Sequence, residues 1–89
     1  MVDNISNIYI DVREPEEFII GHVKGAINIP PDRLMNGATD LKDIPKDAAL
    51  VVYCRTGSRS NVSMNILRDL GYTNITNGIN KENIERYRI

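Results

Sequence analysis

The sequence has no tryptophan, one phenylalanine, one histidine and one cysteine among its 89 residues. A single cysteine excludes an intrachain disulfide framework and a multi-thiolate zinc site, so Cys54 is either a buried small hydrophobe or a reactive group. With His22 as the one histidine, the chain is short of metal ligands, and neither a metal nor a cofactor is expected. Charge of one sign is not in excess either: 11 Lys and Arg stand against 12 Asp and Glu, a formal net charge of -1. That balance gives no overall attraction for phosphate backbones or anionic lipid, which argues against nucleic acid and membrane as partners. No apolar run approaches the ~18 residues of a membrane span. Residues 1–18 show no basic stretch followed by an apolar one, so the expected location is the cytoplasm. What remains, 42% hydrophobic and 26% charged, is the composition of an ordinary globular chain, and its length fits one domain over residues 1–89.

Along that domain short strand-like and helix-like segments alternate. Residues 7–12 (NIYIDV) are β-branched and aromatic, as a short buried strand requires. Pro15, flanked by Glu14, Glu16 and Glu17, opens a helical turn that ends at Gly21. Residues 26–29 form a second strand stopped by Pro30 and Pro31, residues 32–35 one helical turn, and residues 37–47 mostly a connection. Residues 48–53 (AALVVY) are continuously apolar, the pattern of a strand covered on both faces of a parallel sheet. From Ser60 onward Val62, Ile66, Leu67 and Leu70 recur at helical spacing up to Gly71. A short strand over residues 72–76, a turn at Asn77-Gly78 and a closing helix over residues 81–87 complete an α/β sandwich.

The chemistry concentrates in Cys54-Arg55-Thr56-Gly57-Ser58-Arg59-Ser60, between the carboxyl end of a buried strand and the amino end of a helix. Open α/β sheets bind ligands there, because a helix start and a Gly-containing turn present unpaired N–H groups to an anion. Those groups, with Arg55 and Arg59, favour thiolate over thiol at Cys54. Cysteine phosphatases and arsenate reductases place five residues between nucleophile and arginine; here four separate Cys54 from Arg59. The smaller ring suits a single added atom, such as sulfur, better than a phosphoryl group.

Three segments in order resemble the rhodanese family, in its single-domain form: residues 10–18 (IDVREPEEF), 21–30 (GHVKGAINIP) and 51–60 (VVYCRTGSRS). The resemblance implies a three-layer sandwich with a central, mostly parallel sheet flanked by helices. It also implies a thiosulfate sulfurtransferase-type enzyme in which Cys54 takes the outer sulfur of an anionic donor such as thiosulfate as a persulfide. A small thiol, a protein thiol or cyanide then accepts it. Cys54 is the expected nucleophile, and Arg55, Thr56, Gly57, Ser58 and Arg59 are expected to bind the substrate. Asp11 and Arg13 would orient the loop arginines, with Ser60 in support. Many members carry a paired-glycine turn followed by tryptophan where this chain reads Asn77-Gly78-Ile79-Asn80-Lys81.

Plainer readings apply to several of these residues. His22 is expected to be a structural turn residue, since sulfur transfer from a thiolate needs no base on Cys54. Glu14, Glu16 and Glu17 read as solvated partners of the helix dipole, and Tyr53 as core. Besides the transferase, two alternatives stay open: a non-catalytic binding or redox-sensing module, and a cysteine phosphatase or arsenate reductase.

Overall fold

The computed structural model describes residues 7–87; the outermost residues of the expected domain, 1–6 and 88–89, lie outside it. Ile8, Tyr9 and Ile10 form β1 (Ile8–Asp11), and the apolar run ending at Cys54 forms β3 (Leu50–Cys54), every residue of which is buried. With β2 (Ile27–Asn28) and β4 (Ile75–Asn80) they make a four-stranded sheet in the order β2-β1-β3-β4. All three pairings are parallel. The helices are α1 (Pro15–Ile20), α2 (Pro31–Met35), α3 (Ser58–Asp69) and α4 (Lys81–Tyr87), with a 3-10 turn at Thr39–Leu41 in the long connection.

Alternation along β3 explains its unbroken hydrophobicity. Leu50, Val52 and Cys54 face a core completed by Ile10, Leu34 of α2, and Met64 and Leu67 of α3. Val51 and Tyr53 face the other way, onto Val23 and Ile84 of α4. Helices thus cover both faces, giving the three layers expected from the sequence. The chain crosses from β2 over β1 to reach β3, so the strand order reverses between β1 and β3. Their carboxyl ends, Asp11 and Cys54, flank the switch point at which such sheets open a crevice.

β4 departs from expectation. Asn77-Gly78 is not a turn but lies inside the strand, and residues 72–74 precede it as loop. Val52 pairs with Asn77 and Tyr53 with Ile79, so Gly78 is an extra, bulged residue. A Cβ at Gly78 would stand 2.7 Å from Ile84 Cδ1 and 2.9 Å from Val51 Cγ1, closer than atoms pack, so the glycine lets α4 lie directly on the sheet. Ile79 follows with φ of 73°, a left-handed position for a β-branched residue that costs on the order of 1–3 kcal/mol. Asn-Gly marks a tight hairpin only where an antiparallel partner follows, and here the neighbour is parallel. Among the described residues no helix is long and apolar enough to cross a membrane.

Candidate active site

β3 delivers Cys54 to the crevice, and α3 starts four residues later. Gly57, at φ of 94°, takes the left-handed turn that folds its own N–H back onto the sulfur at 3.1 Å. Ser60 adds a second N–H at 3.4 Å, and its hydroxyl oxygen stands 3.6 Å from Sγ. Burial pushes the Cys54 thiol up. The amide of Ser60, with those of Thr56 and Gly57, outweighs that effect and brings it below its ordinary value. The Thr56 and Ser58 hydroxyls lie 3.0 Å apart at the exposed rim.

Cys54 is only 1% exposed, on the floor of a cleft of about 400 Å³. Arg13, Glu17, Ile20 and Arg55 line the cleft together with Asn80, Lys81 and Glu82, at the junction of β4 and α4. The two loop arginines share one carboxylate: Arg59 Nη1 donates to Glu17 Oε1 at 3.1 Å, and Arg55 Nη1 lies 3.7 Å from Oε2. Arg59 and the Glu14 N–H hold the Glu17 carboxyl below the usual range. Glu17 is therefore not the solvated dipole partner expected from the sequence.

Asp11 and Arg13 are not the groups that orient the loop arginines. Arg13 grips Asp11 through Nε and Nη2, at 2.9 and 2.7 Å, and its Nη2 donates to the Gly21 carbonyl at 2.6 Å. Asp11 also accepts the Tyr53 hydroxyl at 2.8 Å, while that oxygen accepts the Val23 N–H at 3.0 Å. The pair is a brace at the edge of the cleft, which Arg13 lines, and it ties the ends of β1 and β3 to the segment after α1. His22 stacks on Phe18 at 3.7 Å, and its Nδ1 is 2.8 Å from the Phe18 carbonyl, a structural role as read.

Three groups at the site escaped the sequence reading: Glu17, Asn77, and the Asn80–Glu82 wall. Glu14 and Glu17 are spaced as a helix cap, which is a local signal, but nothing local points Glu17 at Arg59, 42 residues on.

Fold and site together define a parallel α/β domain with an anion-cradling cysteine loop at its switch point. The chain belongs to the Rhodanese-like domain family, whose model matches residues 1–80. It is 40% identical over 73 residues to the thiosulfate sulfurtransferase PspE of Escherichia coli (strain K12), a match covering 78% of this chain and 65% of that protein. Among solved structures, a rhodanese with anions from E. coli superposes with a TM-score of 0.78 and 34% identity, over 89% of this chain and 92% of that one. The human single domain sulfurtransferase TSTD1 gives a TM-score of 0.74 and 29% identity, over 90% and 82%.

Proposed function

We propose that residues 1–89 form one rhodanese-like domain acting as a sulfurtransferase, which moves sulfane sulfur from thiosulfate or another persulfide donor through a persulfide on Cys54. The observation that carries this reading is the pair of amide N–H groups aimed at Cys54 Sγ on the floor of a cleft. Membership of the family and the named activity of PspE support it.

The Cys54 thiolate attacks the outer sulfur of thiosulfate. A new S–S bond forms as the donor's own S–S bond breaks, and sulfite leaves with the electron pair. A thiolate or cyanide then attacks the outer persulfide sulfur, and Cys54 departs as the thiolate it began as. No step needs an oxidant, and none takes a proton from Cys54 once it is ionised. The turn formed by Arg55, Thr56, Gly57, Ser58 and Arg59, with Ser60, supplies N–H groups that hold the negative sulfur in both forms. Arg55 and Arg59 attract the anionic donor, and Asp11 with Arg13 keeps the strand ends in register.

Intact mass spectrometry after incubation with thiosulfate tests this directly. Wild type should gain one sulfur atom, lose it to cyanide or a dithiol, and Cys54→Ser should gain none. No gain on a Cys54 that iodoacetamide still alkylates rapidly would favour a sensing or binding role. Cys54-dependent release of phosphate from an aryl phosphate would favour the phosphatase reading.

A further inference from the structure

Asn77 sits on β4, outside the loop, yet its side chain reaches Gly57 and Ser60, two of the residues whose N–H groups act on the sulfur. Its Oδ1 accepts the Ser60 hydroxyl at 2.7 Å, and its Nδ2 donates to the Gly57 carbonyl at 3.3 Å. The same Oδ1 accepts the Ile79 N–H at 2.9 Å, which fixes which end of the amide faces which partner. The bulge also packs beside the loop: a Cβ placed on Gly57 would lie in ordinary contact with Ile79 Cγ2 at 3.5 Å and Asn77 Nδ2 at 3.8 Å. Only an amide can accept from two donors with its oxygen while donating to a carbonyl with its nitrogen. An aspartate would set a carboxylate against the Gly57 carbonyl, and a glycine or alanine would make none of these bonds.

We infer that Asn77 is a positioning residue for Cys54: it clamps Gly57 and Ser60 so that their N–H groups stay on the sulfur. The inference rests on Cys54 being the nucleophile, not on the identity of the donor. Removing the clamp loosens two of the three amides that stabilise the thiolate, so ionisation becomes harder. The charged groups at the cleft are unaltered by this: Arg55 and Arg59 from the loop and α3, Arg13 from the β1–α1 connection, Glu17 from α1, and Lys81 and Glu82 from α4.

The test follows the rate of Cys54 alkylation by iodoacetamide against pH, alongside thermal melts. Asn77→Ala should raise the midpoint by about 0.5–1 pH unit and slow alkylation at neutral pH about three- to ten-fold. Asn77→Ser, which keeps a short oxygen for Ile79 but cannot reach Gly57, should shift it the same way and serves if the alanine variant does not fold. Asn83→Ala removes a 2.9 Å bond to the Gly78 carbonyl on the same strand without touching the loop, and should leave the midpoint in place. In a Ser60→Ala background the Asn77→Ala shift should shrink, since one arm of the clamp is already gone. An unchanged midpoint with a lowered Tm would reduce Asn77 to a strut of β4. A midpoint that falls would mean that Asn77 competes with the sulfur for the Ser60 proton, and either result overturns the inference. A wild type that shows these shifts yet takes no sulfur from thiosulfate would sink the sulfurtransferase reading and leave this one standing.

Discussion

One carboxylate, Glu17, occupies two arginines at the place where the proposed function would bring an anionic donor. Arg55 is 70% exposed on its side chain, so the pairing adds little to stability, about 0–1 kcal/mol for such surface pairs. Its effect falls on ligand binding, because Glu17 is an internal anion competing for Arg55 and Arg59. Glu17→Gln keeps an acceptor for the Glu14 N–H and removes the charge. It should lower KM for thiosulfate about two- to five-fold in steady-state kinetics, with kcat changed less. A raised KM would show instead that Glu17 holds the arginines in their binding pose. Because its carboxyl lies below the usual range, wild type should approach the variant's KM only as pH falls through that lowered value. The loop from Cys54 to Ser60 was legible because its groups are contiguous and the strand-to-helix turn brings them together. Glu17 and Asn77 were not, because their partners lie 42 and 17 residues away in sequence.

At the level of elements, β3 and α3 follow from pattern, a continuous apolar run for a doubly covered strand and helical spacing from Val62 to Leu70, and β1 from its β-branched and aromatic residues. β4 does not, since a bulge breaks the period of two just where Asn77 and Gly78 fall. The same bulge makes Gly78, the one glycine of β4, hard to replace. Gly78→Ala drives a methyl into Ile84 and Val51, so it should destabilise by about 1–3 kcal/mol. For a domain of this size each kcal/mol lowers Tm by roughly 4–8 °C, which a thermal melt resolves. An unchanged Tm would mean that α4 rides loosely on the sheet.

Taken whole, the molecule is nearly neutral, and each cation at the cleft lies against a carboxylate: Arg13 against Asp11, Arg55 and Arg59 against Glu17, and Lys81 against Glu85. Long-range steering of an anionic donor is therefore weak. Between about 0.02 and 0.5 M salt, kcat/KM for thiosulfate should change by less than about three-fold, well short of an electrostatically steered enzyme. A steep fall would reveal a positive field that the charge count hides. The depth of the cysteine has a separate outcome for the protein in air. A disulfide needs two sulfurs about 2.05 Å apart, and two copies of this chain cannot bring theirs together while each lies 1% exposed beneath its own rim. With no second cysteine in the chain, Cys54 has no resolving partner of its own, and the equally recessed Cys54 of another copy is out of reach. Stored without reductant, the protein should run as a monomer-sized band on a non-reducing gel, its thiol kept from covalent dimers by shape alone.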